Sequence, residues 1–384
     1  MRIGINLLAL YPMVSGGMEF YIRNLLDALF KIDRSNQYVL FTNQDNHCTF
    51  ADGQPNVQWV LCGIGARPQW KRIAWEQLIL PLFAKKYSLD LLHSPTYTWP
   101  VSSGVPGVVT IHDMLYRVHP ELIPRTKVTF WRVFVPWSAR RCHKILTSSE
   151  SSKRDIVRYL GVPSEKVTVT PLALDRRLDT GKQPSADEIE GVCAKYTIRR
   201  PYLLDVGGVG RHKNPVSLVK ALAILRGRTA TKELTLVITG NDYGSAGEIR
   251  SCAYSSGLEE AVCLPGYVAR EDLPALYAGA FAYVTPSMFE GFGLTVLEAM
   301  AFCTPVVVSD RASLSEVAGD AALTVDPGRP DLIADAIYRI AMDPVLRQDL
   351  INRGQRRVEE FSWERTARLT LEAYREASEK SSRH

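Results

Sequence analysis

No stretch of the 384 residues reaches the run of about 18 apolar residues that a membrane-spanning helix needs, so no span is expected. Cysteine is sparse and unpatterned. Cys48, Cys62, Cys142, Cys193, Cys252, Cys263 and Cys303 are odd in number and include no C-x-x-C pair. That argues against a disulfide framework or a zinc site, and for reduced thiols in a cytosol. No D-x-D occurs, so no metal is expected, and any phosphate charge falls to Arg, Lys and helix dipoles. The absence of G-x-x-x-x-G-K-[ST] argues against a P-loop ATPase, and that of G-x-S-x-G against an α/β-hydrolase. The opening MRIGINLLAL lacks a small-residue cleavage site and reads as a first strand, not an export signal. A strong charge imbalance is missing too: 46 Lys and Arg against 41 Asp and Glu leave +5. This mild excess suits anionic small molecules or a membrane surface and gives no reason to expect nucleic acid.

What is present is alternation. RIGINLL (2–8), QYVLFT (37–42), VQWVLC (57–62), LDLLHS (89–94), GVVTIHD (107–113), KILTSS (144–149) and KVTVTPL (166–172) are short apolar runs. Between several of them lie helical patterns, such as MEFYIRNLLDALF after Gly16-Gly17, and WKRIAWEQLILPLFAKK interrupted at Pro81. Ser149 is placed to cap a helix. A polar stretch, DRRLDTGKQPSADE (175–188), then carries no apolar period and reads as a linker. After it the alternation restarts with PYLLDVGG (201–208), LTLVITG (234–240), AVCLPG (261–266), FAYVTPS (281–287) and TPVVVSD (304–310). The expectation is an α/β chain of two doubly wound, Rossmann-like domains facing a central cleft. Residues 1–180 form the first and 190–361 the second. An amphipathic last helix within 362–384 packs back on the first.

Four strand ends carry the chemistry. In SMFEGFGLTVLEAMA (287–301) a strand gives way through Gly291-Phe292-Gly293 to a helix. Glycines let backbone N–H groups approach a ligand, and a helix start favours anions, so this is a seat for a pyrophosphate. Glu290 and Glu298 can each accept two hydrogen bonds from a sugar or ribose diol. In GGVGRHKNP (207–215) a glycine-rich turn places Arg211 and Lys213 before a helix starting near Pro215. These cations can stabilise a leaving nucleoside diphosphate. Gly16-Gly17 follows the first strand without the full dinucleotide fingerprint. His112-Asp113 ends another strand, where the histidine suits a base, a sugar-hydroxyl ligand or a plain hydrogen bond. A last feature is the segment 117–158, rich in Arg and Lys and carrying Trp131, Phe134 and Trp137. Such a patch can rest on anionic lipid or form an ordinary solvated face.

Glu290-Gly-Phe-Gly-Leu-x-x-x-Glu298, Arg211-x-Lys213-Asn214, Gly266-Tyr-Val268 and Ser309-Asp310 together resemble family 4 of the retaining glycosyltransferases, with the GT-B fold. The likeness is strongest over about 200–330. It runs more faintly through Gly16-Gly17, His112-Asp113 and TSSESSK, and HDMLYRVHPE is similar to bacterial mannosyltransferases of O-antigen, capsule and exopolysaccharide assembly. The resemblance implies that Glu290 contacts the transferred sugar and Glu298 the ribose diol. The amides of Gly291, Phe292, Gly293, Leu294 and Thr295 would cradle sugar and phosphate, with Arg211 and Lys213 on the diphosphate. Tyr267 and Val268 would meet the base, Gly16 and Gly17 the phosphate, and His112 the sugar and acceptor; Gly240 is placed with the donor-binding residues. The family often has adjacent Arg-Lys-Asn. Here His212 takes the adjacent place, so either Arg211 or His212 fills the arginine role, with Arg211 favoured for its permanent charge.

The function this implies is retaining transfer of a hexose, mannose favoured, from a nucleotide sugar such as GDP-mannose. The acceptor is a saccharide or lipid-linked saccharide in surface polysaccharide synthesis. No cofactor or metal is expected. The place is the cytoplasm, with peripheral contact at the inner face of the plasma membrane. The alternatives are glucosyl or other hexosyl transfer from a UDP-sugar, a sugar-nucleotide epimerase of the same fold, and a non-catalytic binding protein.

Overall fold

The computed structural model describes residues 1–12, 16–50, 54–100, 102–175, 178 and 182–381. Two compact units divide the chain: Met1–Asp175 with Ser362–His384, and Arg176–Phe361. Each is an α/β layer structure, because its apolar runs become parallel strands buried on both faces.

Among the described residues the first unit holds a seven-stranded sheet: β1 (Arg2–Asn6), β2 (Gln37–Thr42), β3 (Val57–Leu61), β4 (Leu91–Ser94), β5 (Gly107–Thr110), β6 (Lys144–Thr147) and β7 (Val167–Val169). All pairings are parallel and the order is β3-β2-β1-β4-β5-β6-β7. The second unit holds a parallel sheet of β8 (Tyr202–Val206), β9 (Thr235–Thr239), β10 (Val262–Gly266), β11 (Ala282–Thr285), β12 (Val306–Ser309) and β13 (Ala322–Val325). Its order is β10-β9-β8-β11-β12-β13. In both sheets the winding direction reverses beside the first strand, between β1 and β4 and between β8 and β11. The loops leaving such a pair diverge, which opens a crevice at the carboxyl edge.

Local signals set the helix ends. Ser149 accepts from the Ser152 N–H at 3.0 Å and caps Glu150–Leu160, which ends at Gly161 with φ +64°. Pro81 sits in the first turn of Leu80–Lys86, just after Gln69–Leu78 closes. The polar stretch 175–188 is not linker throughout. Ser185 and Glu188 form a reciprocal capping box, at 3.2 and 2.7 Å, that starts the helix Ala186–Lys195. A capping box can start a helix where apolar periodicity is weak, which is why the run looks unstructured from its composition.

The helix Trp363–Ser381 belongs to the first unit. The buried Trp363 packs edge-on against Phe20 at 5.7 Å and its Nε1 donates to the Leu174 carbonyl at 2.8 Å. Deeper in, His93 bridges Tyr374 Oη at 2.7 Å and Thr110 Oγ1 at 2.9 Å, and Tyr21 Oη meets the same threonine at 3.2 Å. Burial pushes the His93 imidazole down to about 3, with His112 adding to the effect. Its folded value lies below the ordinary 6.5, so the stability it contributes is complete above pH 6.5 and lost as pH falls toward 3. Thermal melting of the first unit is therefore expected to weaken steadily from about pH 6.5 to about pH 4, before most carboxylates protonate. A flat melting temperature across that interval would contradict this account.

Candidate active site

β8 and β11 are neighbours at the reversal point of the second sheet, so the chain leaving each is brought to one edge. After β8 comes a glycine turn, one tight turn at Arg211–Lys213, Asn214 in the left-handed region at φ 55°, and the helix Pro215–Arg226. After β11 comes the loop 286–293 and the helix Leu294–Ala301. The loops are tied directly: the Met288 N–H donates to the His212 carbonyl at 2.7 Å. Lys213 Nζ and Glu290 Oε1 form an ion pair at 2.5 Å, with the two side chains only 12% and 18% exposed. Ser287 Oγ donates to the same Glu290 oxygen at 3.0 Å. Ser313 Oγ stands 2.8 Å from both the Glu290 and Phe292 carbonyls and holds the loop from behind.

Glycine is required at two points. Gly207 has φ +126°, and a Cβ there would stand 3.3 Å from Lys213 Nζ and 4.0 Å from Thr295 Cγ2. The lysine amine therefore lies over the turn, next to the first turn of Leu294–Ala301. Gly293 has φ +102° and caps that helix, and a side chain there would run into Leu314 at 2.6 Å. A cation, a carboxylate and a helix start thus converge at one sheet edge, which suits a phosphorylated, hydroxyl-bearing ligand.

The charges are tightly coupled. Burial works to raise the Glu290 carboxyl, but Lys213, His212 and Ser287 outweigh it and the pKa is lowered. Burial works to lower Lys213, yet Glu290 and Asp205 hold it above its ordinary value. Glu298 is buried on the helix and accepts from Tyr277 Oη at 2.7 Å, and Tyr283 Oη donates to Thr295 Oγ1 at 2.7 Å.

Gly291, Phe292, Gly293, Leu294, Thr295, Glu290, Glu298 and Lys213 all lie at this edge. Arg211 does not join them: it is exposed and pairs with Glu248, on the helix Ala246–Ser255. Its neighbour His212 accepts from the Met288 N–H through its carbonyl and acts on the Glu290 carboxylate through its charge. The tight turn explains this, since residues adjacent on one turn point in different directions. Gly240 sits against the glycine turn that follows β8. A Cβ there would come within 2.2 Å of the Gly208 amide, so this glycine lets the ends of β8 and β9 touch. Beyond β10, Tyr267 is exposed and Val268 buried. Asp205, Ser287, Ser313, Tyr277 and Tyr283 escape the sequence reading. Asp205 leaves a signal, an acid inside the apolar run YLLDV, whereas the others need the fold to bring them near.

In the first unit, Gly16 (φ +50°) and Gly17 open the helix Gly16–Ile32 and are exposed. His112 Nε2 donates to the Pro95 carbonyl at 3.3 Å, and its ring meets Tyr21 and Tyr97 edge-on at 4.9 and 5.8 Å. Burial brings its pKa down to about 4, against the pull of the Pro95 carbonyl, so it is neutral at pH 7.

Residues 195–357 match the family model "Glycosyl transferases group 1", and residues 15–178 match "Glycosyltransferase Family 4". The chain is 32% identical to O-antigen chain mannosyltransferase B of Escherichia coli, across 76% of this chain and 75% of that one. It belongs to glycosyltransferase family 4. This glycosyltransferase is also 30% identical to D-inositol 3-phosphate glycosyltransferase of Paenarthrobacter aurescens, over 94% and 93% of the two chains. Its fold is of the GT-B type, as in Anabaena HepE in complex with UDP and glucose (TM-score 0.72, 20% identity, 97% and 99% covered).

The geometry separates the two basic residues. Lys213→Ala is expected to lower turnover of the donor by about 10²–10³-fold, the scale of losing one charge-stabilising donor. Arg211→Ala should stay within a few-fold of the parent. Steady-state kinetics on the two variants decide, and equal losses would show that Arg211 also works at the Lys213–Glu290 pair.

Proposed function

We propose that this glycosyltransferase transfers mannose from GDP-mannose, with retention of configuration, to a saccharide or lipid-linked saccharide of a bacterial surface polysaccharide. The observation that carries the reading is the ion pair of Lys213 and Glu290 set against the start of Leu294–Ala301. The diphosphate rests on the amides from Gly291 to Thr295 and takes Lys213 as its counter-ion. With Lys213 then shared with the diphosphate, Glu290 turns to hydroxyls of the sugar. Glu298, oriented by Tyr277, accepts from the ribose diol, and the backbone of Tyr267 and Val268 meets the base. The acceptor attacks from the face that the nucleotide leaves, and its proton passes to the departing phosphate, so no side-chain base is required. His112 of the first unit is uncharged at neutral pH, so it can act there only as a neutral hydrogen-bonding group. The phosphate charge is met by Lys213 and the helix end, without a metal or cofactor.

The choice of mannose is supported by similarity to O-antigen chain mannosyltransferase B. A second reading, hexosyl transfer from a UDP-sugar, is favoured by the fold shared with a protein solved with UDP and glucose. A donor at a hundred times its dissociation constant stabilises by about 2.7 kcal/mol. A melting-temperature rise is therefore expected with GDP-mannose and not with UDP-glucose, and the reverse result selects the second reading. Conversion of the donor into an epimeric sugar nucleotide, followed by NMR with no acceptor present, would instead indicate an epimerase.

A surface of the first unit supports membrane contact on the cytoplasmic side. The helix Arg125–Arg141 carries Arg125, Lys127, Arg132, Arg140 and Arg141 and no acid. Trp70, Leu78, Leu82 and Val133, on this helix and on Gln69–Leu78 and Leu80–Lys86, are each more than half exposed. Trp70, Ile73, Phe130 and Phe134 line a 510 Å³ groove with Lys127 at its side. Apolar side chains among cations suit an anionic bilayer. Flotation with vesicles of anionic phospholipid is expected to carry the protein at low salt and to release it at high salt. Failure to float at low salt would remove the membrane from the proposal.

A further inference from the structure

One buried acid has no part in the steps above. Asp205 lies within β8 between Leu204 and Val206 and is 3% exposed. Among the described residues its Oδ1 has no hydrogen-bond partner. The carboxyl otherwise meets Thr285 of β11 and the Val206 N–H. Lys213 and Glu290 face it from the two loops, and the phenols of Tyr277 and Tyr283 from the helix Leu273–Gly279 and from β11. Behind these stand His212, acting on Glu290, and Glu298, bound to Tyr277. Burial holds both phenols well above their ordinary range, so they carry no charge.

One ammonium thus serves two enclosed carboxyls. With both ionised, the Asp205–Lys213–Glu290 group would hold an excess negative charge away from water, with one charged oxygen lacking a donor. A proton on one acid removes the excess. Glu290 is bound by Lys213 and Ser287 and stays the anion. Asp205 is the member with an unsatisfied oxygen. Burial raises its pKa, Lys213 lowers it and Glu290 raises it again, to about 7 overall.

We propose that Asp205 is a proton-accepting positioning residue beneath the donor site, and that a sugar nucleotide binding at Lys213 is accompanied by uptake of one proton onto its carboxyl. This rests on the reading of the Lys213–Glu290 edge as the diphosphate seat. The cause is electrostatic: a diphosphate brings two negative charges to Lys213 and so weakens the lysine's hold on the Asp205 anion. Both phosphates of a sugar nucleotide are esterified and do not titrate near neutrality, so the proton is taken up by the protein. The empty site begins to release it near pH 7 and the filled site at higher pH. Affinity is therefore greatest below pH 7 and falls as pH rises between the two values, tenfold for each unit by which binding raises the pKa.

Isothermal titration of the full chain with GDP-mannose, and with UDP-glucose in parallel, in buffers of different ionisation enthalpy tests this. The nucleotide that binds is expected to bring in more than about half a proton near pH 7.5, and its affinity to fall roughly tenfold between about pH 7 and pH 9. Asp205→Asn, a neutral carboxyl mimic, should bind with no proton uptake and a flat pH profile. His212→Gln should keep the uptake. Proton uptake persisting in Asp205→Asn, or missing from the parent chain, overturns the proposal. Where Asp205→Asn does not fold, His212→Gln decides: uptake retained supports Asp205, and uptake lost assigns the proton to the imidazole. Binding of neither nucleotide at any pH overturns the donor-site reading, and this inference with it. Binding without the proton overturns the inference alone.

Discussion

A single ammonium enclosed with two carboxyls is the constraint around which the second unit is arranged. Lys213 lies over Gly207, where an added Cβ would press on its amine at 3.3 Å. It meets Glu290 because the loop after β11 is pinned at the Met288 amide and again at Ser313. Each restraint fixes a flexible group before any ligand arrives. Without them a lysine would lose about 2 kcal/mol of side-chain freedom on binding, and a loop still more. The pre-formed pair keeps the cation and the carboxylate ready while neither is left alone out of water.

The first unit solves a different problem. One polar cluster of its interior is neutral: His93, Thr110, Tyr21 and Tyr374 share hydrogen bonds without a formal charge, and His112 beside them is uncharged at pH 7. This cluster fastens the C-terminal helix to the sheet after the chain has passed through the whole second unit. Elsewhere, among its described residues, the first unit buries charge only in partnered form, as in the Arg72–Glu76 pair, while the helix Arg125–Arg141 carries cations and no acid. The mild net charge of +5 therefore hides an uneven distribution, with a cationic, aromatic face on one unit and a compensated pair at the sheet edge of the other.

The motif that resembles family 4 has a plain physical content. Glu290 and Glu298 are separated by a turn that needs glycine at position 293 and by little more than one turn of helix. Their roles differ because Glu290 stands in a loop beside a cation, whereas Glu298 is buried on a helix and held by a phenol. The same spacing on an uninterrupted helix would place both acids on neighbouring faces with nothing to distinguish them.

Much of this was written in the linear chain. Apolar runs of strand length alternating with helical periods specify parallel sheets, since only strands covered on both faces can be apolar throughout. Gly291-Phe-Gly293, Glu298 and Lys213 marked the sheet edge because turns with positive φ and helix starts are local. What the sequence could not decide were matters of direction and distance. Adjacent residues on a tight turn diverge, so Arg211 went to Glu248 while His212 and Lys213 turned to the loop. Gly240 served a backbone contact with Gly208, and Ser313 and Tyr277 came to the site from far along the chain. The state of Asp205 likewise depends on how many charges surround it in space, and that number is set by packing, because the electrostatic field of a group acts through distance and dielectric and not along the chain.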